Sequence, residues 1–166
     1  MSKTEIWDIV DKDGIPTGKR CQRSERSSIP EGEYHAVVEV WVRVGDKLHL
    51  TQRSPEKWAG LKWESSGGAA LAGEDYACAA ARELAEETGI KVSADSLVLL
   101  GYTRRAPSLI ISYTVRLEEL PKITLQECEV VASRLLTKQQ IEHNMWNELT
   151  EGTRERYLIY KDRIFA

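Results

Sequence analysis

The ten residues HAVVEVWVRV, His35 to Val44, restrict the possible folds more than any other stretch of this chain. Val38, Val40, Val42 and Val44 fall on one side of an extended backbone, with Glu39, Trp41 and Arg43 on the other. Alternation with a period of two predicts a strand. Gly45-Asp46 turns the chain into KLHLTQR, an antiparallel partner, and a loop with Pro55, Trp58 and Gly60 follows. Upstream, EIWDIVDKDGIPTGKRCQRSE reads as a hairpin turned at Lys12-Asp13-Gly14, and residues 24–33 as a polar connection. Two more strands fit 97–103 and 108–117, separated by Arg104-Arg105-Ala106-Pro107.

The period changes after Glu74. The Glu-rich segment from Glu74 to Thr88 predicts a helix ended by Gly89. On it Ala77, Ala81, Leu84 and Thr88 fall within an arc of about 60°, small enough to let a sheet approach closely. TKQQ, from Thr137, has the form of a capping box and predicts a second helix ahead of Ile141. The tail RERYLIYKDRIFA reads as helical, with Gly152 interrupting its pattern. Strands with helices between them predict an α+β fold, a sheet packed by helices. The whole length, 1–166, is the size of one domain: an N-terminal hairpin and connection over 1–33, then a core and helical tail over 34–166.

Composition narrows the function. A net charge of −3 leaves no electrostatic footprint for duplex nucleic acid or an anionic membrane. No basic and aromatic stripe supports an RNA substrate. Three scattered cysteines, Cys21, Cys78 and Cys128, form no CxxC pair and suit a reducing, cytoplasmic setting. The start, MSKTEIWDIVDKDG, has no apolar run of signal-peptide type, and no apolar stretch reaches spanning length.

The charged feature of the chain is the predicted helix. Glu83, Glu86 and Glu87 (i, i+3, i+4) converge on one of its faces. Like charges so placed destabilise an isolated helix by a few tenths of a kcal/mol per pair, and Arg82 offsets part of this through its i, i+4 pairing with Glu86. A solvated acidic face is the common meaning of such a run. A hard divalent cation, Mg²⁺ or Mn²⁺, with carboxylate ligands is the other. Gly67-Gly68 just upstream allows backbone to approach a ligand or the ion.

Gly68, five residues, Glu74, seven residues, then Arg82-Glu83-Leu84-Ala85-Glu86-Glu87-Thr88-Gly89-Ile90 resembles the Nudix box, GX5EX7REUXEEXGU, at every position. A chance match in a chain of average composition is on the order of 10⁻⁸ to 10⁻⁷. The order of elements is similar to the Nudix α/β/α sandwich, a mixed sheet packed by helices. The N-terminal hairpin and GEYHAVVEVWV resemble the bacterial branch that is also similar to isopentenyl-diphosphate isomerase.

The resemblance implies a hydrolase that cuts within the diphosphate of a nucleoside diphosphate linked to another moiety. It implies that Glu83, Glu86 and Glu87, with the carbonyl of Gly67 or Gly68, hold Mg²⁺ or Mn²⁺. Glu83 is the first candidate for general base. Arg82 and Glu74 orient the loop and the glutamates. Glu127 and Glu129, in LQECEVV, are candidates for a distal ligand or base, or else exposed loop charges. Arg53 sits where related enzymes carry a diphosphate-binding arginine; a solvated strand end is the equal alternative. Trp58 and Trp63 flank the glycine loop, and core or loop packing is favoured over covering a base or sugar. Tyr113 reads as core; His49 and His143 have no ligand-like neighbours in sequence. Selectivity is expected in the loops 54–66, 104–107 and 118–135. Homodimerisation through the hairpin or the tail is an expectation carried by the family alone.

Two rivals come with the resemblance. Isomerases of this fold use a Cys-Gly-His stretch; counted back from Gly73-Glu74, its cysteine position is Gly67 and its histidine position Ala69, although His35 matches another isomerase ligand. Nucleotide-sensing, non-catalytic Nudix domains commonly lose box glutamates, and all are present here.

Overall fold

The computed structural model describes residues 4–166. The first three residues of the acidic N-terminal stretch lie outside them. Strands β1 (Ile6–Val10) and β2 (Pro16–Gln22) form the expected antiparallel hairpin. Its turn is fixed by Asp11, whose carboxylate accepts from the N–H groups of Asp13 at 2.9 Å and Ile15 at 3.0 Å. The polar connection contains a 3₁₀ turn over Arg23–Ser28.

The alternating stretch forms β3 (Tyr34–Val44), the hub of a nine-stranded mixed sheet. Antiparallel to β3 lie β1, β4 (Lys47–Arg53) and β6 (Ser66–Ala69). Parallel to it over His35–Val44 runs β8 (Ser108–Leu117), which carries β7 (Val98–Arg105) antiparallel on its far side. The two-residue β5 (Trp63–Glu64) pairs with β4.

Both faces of β3 are covered. Val38, Val40 and Val42 pack with Ile111 and Val115 of β8 against Ala79, Ala80 and Leu84 of the box helix, α1 (Tyr76–Thr88). Trp41, pointing the other way, packs with Leu48, Leu50 and Leu100 against Tyr157, Tyr160 and Ile164 of the tail helix, α2 (Glu151–Ile164). Helix, sheet and helix give the α/β/α layering, and each fully buried Leu or Val is worth roughly 1.5–3 kcal/mol. The layers are locked by a buried ion pair. Glu39, also on the α2 face, accepts from Arg156 Nε at 2.8 Å, Trp41 Nε1 at 2.9 Å, Ser65 Oγ at 2.6 Å and Ser112 Oγ at 2.5 Å. Despite complete burial, Arg156 and these donors hold its carboxyl below the usual carboxylate range.

Four expectations need correction. The buried stripe of α1 runs through Ala80, Leu84 and Thr88, not Ala81, which is half-buried. Residues 130–135, expected as the end of the loop 118–135, and Thr137, expected to start a helix, belong to β9 (Val130–Thr137), antiparallel to β4. The TKQQ capping box exists, with Gln140 N donating to Thr137 Oγ1 at 3.2 Å and Thr137 N to Gln140 Oε1 at 2.8 Å, but opens only a short π-type turn over Gln140–Asn144. Gly152 does not interrupt the tail: Thr150 caps α2 by accepting from Thr153 N, and Gly152 lies in the first turn.

Candidate active site

Helix α1 starts where Asp75 accepts from Cys78 N at 3.1 Å and stops where Gly89 takes φ 76°. Between them, burial of Ala80 and Leu84 against β3 sets the rotation of every glutamate. Glu87 is turned in against β6 and Glu83 towards Gly68, whereas Glu86 remains exposed.

Arg82 gathers the box. Its Nε and Nη2 donate to the two oxygens of Glu74 at 2.7 and 2.9 Å, a bidentate pair, and Nη2 also reaches Ala69 O at 3.2 Å. Its Nη1 donates to Glu83 at 2.7 Å and to Glu86 at 3.3 Å. Burial opposes ionisation of Glu74, but Arg82 and the Leu71 N–H outweigh it and hold its carboxyl low. Arg82 thus bonds to Glu74, to two further box glutamates and to the loop carbonyl of Ala69.

Gly68 is where the loop meets the helix. A Cβ there would lie 2.5 Å from Glu83 Cδ, so only glycine leaves space for the carboxylate. At Gly67 a Cβ would collide with the carbonyl of Val38 on the adjacent strand. Position 67 therefore has no room for the thiol that the isomerase reading requires.

Glu87 is the anomaly of the site. Its residue is 4% exposed, and its carboxylate accepts from Gly67 N at 3.3 Å, with no salt bridge to it among the described residues. Burial, then the neighbouring Glu64 carboxylate, push its pKa up to about 8, with Glu83 adding to the effect. Burial likewise raises Glu83 against the opposing field of Arg82.

Glu64 was not singled out by the sequence, although it lies within the expected 54–66 selectivity loop. Ser65 points to Glu39 on the α2 face, which turns its neighbours Glu64 and Ser66 towards α1. Glu64, Ser66 and Gly68 thus line one face, and this two-residue spacing leading into the box is the signal that was available. Burial raises the carboxyl of Glu64, and Arg53 works against it. The Ser66 hydroxyl on this face is buried with no hydrogen-bond partner among the described residues.

Arg53 is not open to solvent as a strand end. Its Nη1 pairs with Glu64 at 2.7 Å and its Nε donates to Trp58 O at 2.8 Å. Glu129 is brought in, through an ion pair with Lys57, and its carbonyl accepts from Ser54 N at 3.0 Å. Glu127 is exposed. The segment before them is tied to the end of α1, since Thr124 N donates to Thr88 O at 2.8 Å and Gln126 N to Glu87 O at 3.0 Å. Trp63 and Tyr113 are core residues, and Arg134 stacks over the Trp63 ring at 5.2 Å. Trp58 departs from the packing reading, being 74% exposed. Arg104 and Arg105 end β7, and Arg105 pairs with Glu151 and Glu155 of α2.

Among the described residues no three acidic, histidine or cysteine side chains converge closely enough to enclose a metal ion. Arg82 holds Glu83 and Glu86 to itself. The donors nevertheless fit a hard cation: carboxylate oxygens predominate, and among the described residues buried Glu87 makes no ion pair, so that the more distant Lys57 only partly offsets its burial.

The model of the NUDIX domain matches residues 33–157. The chain belongs to the Nudix family. A Nudix hydrolase of Listeria monocytogenes, itself uncharacterized, is 31% identical over 149 residues, 83% of either chain. Among solved structures, a Deinococcus radiodurans protein, DR0079, superposes with a TM-score of 0.73 at 20% identity, covering 95% of this chain and 98% of that one. A bifunctional NMN adenylyltransferase/ADP ribose pyrophosphatase of Francisella tularensis, complexed with AMP and a manganese ion, gives 0.66 at 19% identity over 79% of this chain and 42% of its own. At these identities the structural neighbours establish the Nudix fold: mixed sheet, flanking helices, α+β. No helix among the described residues is long and apolar enough to cross a membrane.

Proposed function

We propose that this Nudix chain hydrolyses the diphosphate linkage of a small nucleoside-diphosphate-type compound with the help of Mg²⁺ or Mn²⁺. The observation that carries the reading is Glu87, a buried carboxylate crowded by Glu64 and Glu83 with no salt bridge to it among the described residues. The Francisella neighbour, a pyrophosphatase in part and complexed with AMP and manganese, supports the same class of substrate and cofactor.

In this reading Glu83, Glu86, Glu87 and the Gly67 carbonyl hold the cation, with Glu64 beside them. When bound, a divalent cation neutralises diphosphate oxygens and lowers the pKa of water. The remaining work belongs to the chain. To hold a cation, Glu83 and Glu86 would have to leave Arg82, which Glu74 would retain through its bidentate pair. Helix α1, fixed to β3 and β6 by Ala80 and Leu84, keeps the carboxylates pre-positioned, which suits a reaction governed by placement and electrostatics. The carboxylate left without a bond to the cation takes the proton of the attacking water as general base, and Glu83 is the first candidate for that role. Lys57, whose field reaches both Glu64 and Glu87, limits repulsion when phosphate arrives.

The test is a panel of diphosphate compounds incubated with purified protein and Mg²⁺ or Mn²⁺, scored for phosphate or pyrophosphate release. Turnover is expected for a subset, abolished by EDTA and by Glu86→Gln or Glu87→Gln in proteins that remain folded. Equal activity in those variants would remove the carboxylates from the mechanism.

A further inference from the structure

The loop between β4 and β5, residues 54–62, is built more firmly than an idle connection. Ala59 and Leu61 both occupy the left-handed region, at φ 52° and 65°, a conformation that costs non-glycine residues of order 1 kcal/mol or more. It is held there by hydrogen bonds. Leu61 N donates to Arg53 O at 3.1 Å, Arg53 N to Lys62 O at 2.9 Å, Lys62 N to Ala59 O at 3.2 Å, and Gln52 Nε2 to Leu61 O at 2.9 Å. At its apex Trp58 leaves its indole in solvent while its carbonyl is gripped by Arg53 Nε.

This apex is joined to the acidic site on two sides. On one, Arg53 connects Trp58 to Glu64, which faces Glu87. On the other, the preceding residue Lys57 pairs with Glu129, in the segment whose Thr124 and Gln126 are bonded to the end of α1. The loop, with two residues in the left-handed region, therefore carries one large exposed aromatic whose backbone is tied through Arg53 to Glu64 of the acidic site.

We infer that Trp58 is a specificity-determining residue, stacking its indole on a planar ring carried by the diphosphate substrate. The inference rests on the diphosphate reading above and names the kind of group attached. A ring rather than an alkyl chain is favoured by shape. An alkyl group must be enclosed to gain from burial. Trp58 is 74% exposed and lines neither of two cavities of about 530 and 360 Å³, whose walls include Tyr102 and Ile159 in the first and Val10 and Tyr76 in the second. One open indole face is sufficient for a base, and such stacking tolerates any base.

The experiment separates this claim from hydrolysis by using a pair of uncleavable probes. α,β-Methylene-ADP and methylenediphosphonate share their phosphate chemistry and differ in the adenosine. Their binding to the full chain in Mg²⁺ is measured by calorimetry for the wild type, Trp58→Ala and Trp58→Phe. The wild type is expected to prefer methylene-ADP. Trp58→Ala should lose about tenfold in affinity for it, with methylenediphosphonate unchanged and the melting temperature preserved; Trp58→Phe should restore most of the loss. An equal loss for both probes, no loss for either, or no preference in the wild type would overturn the assignment. Failure of metal-dependent turnover in the panel would overturn the hydrolase reading instead, and the two outcomes are read independently.

Discussion

Replacing Glu87 with glutamine should stabilise the protein when no divalent cation is present. A carboxyl held at about 8 in the folded chain, against an ordinary 4.5, disfavours its ionised form by about 5 kcal/mol. Between those two values the folded state binds more protons than the unfolded one, so the metal-free protein loses stability as pH rises through that window. The Glu87 contribution is complete below 4.5 and gone above about 8. At pH 7 about 3 kcal/mol has been lost, the part of the window already crossed. Glutamine has the same shape and no charge, and its amide can donate to Glu64 or Glu83. In EDTA, Glu87→Gln should therefore melt higher than the wild type at pH 7 by about 6–12 °C, given roughly 2–4 °C per kcal/mol for a chain of this size. The advantage should grow at pH 8.5 and shrink towards pH 5. Adding Mg²⁺ should raise the wild type and leave the variant unmoved. Thermal melts at three pH values, with and without Mg²⁺, give the complete pattern. A variant less stable than the wild type at pH 8.5 in EDTA would refute the reasoning, because Glu87 would then have a compensating partner.

Three further outcomes follow from the same geometry. Gly68→Ala should displace the Glu83 carboxylate and lower kcat by about 10- to 100-fold in a folded protein, measured by steady-state turnover and circular dichroism. Arg156→Met should cost about 3–5 kcal/mol in urea unfolding, because it leaves Glu39 buried and unpaired. Arg53→Met should release Glu64 and raise its pKa further, moving the acid limb of the pH–rate profile upward; an unmoved limb would show that Glu64 is not felt at the site.

What the sequence made legible follows from how strongly each signal is repeated. The helix from Glu74 to Thr88 is bounded in the sequence by Gly89, and its glutamates by a spacing with almost no chance equivalents. The four valines of β3 allowed only one period. A run of alanines, in contrast, carries little phase information, so Ala81 was mistaken for Ala80 as part of the buried stripe. Strand β9 was missed because its apolar residues come as adjacent pairs, Val130-Val131 and Leu135-Leu136, and not in alternation. Gly152 looked like a helix breaker, but in the first turn, beneath the Thr150 cap, glycine costs less than in a helix interior. Glu64 owes its position to pairing between β4 and β5, and the ion pair of Arg53 to the same pairing. Neither partner is near the other in sequence, so local patterns do not reveal them. Trp58 was read by the average behaviour of tryptophan, which a loop held in left-handed geometry overrides.

The most direct test of the account is the fate of solvent oxygen. Purified protein is incubated with Mg²⁺ and a hydrolysable nucleoside-diphosphate compound in ¹⁸O-labelled water, and products are weighed by mass spectrometry. The account expects cleavage within the diphosphate, with one labelled oxygen in a product phosphate, lost with EDTA and with Glu87→Gln. Cleavage that persists without a divalent cation, or an intact diphosphate recovered in rearranged form, would contradict it.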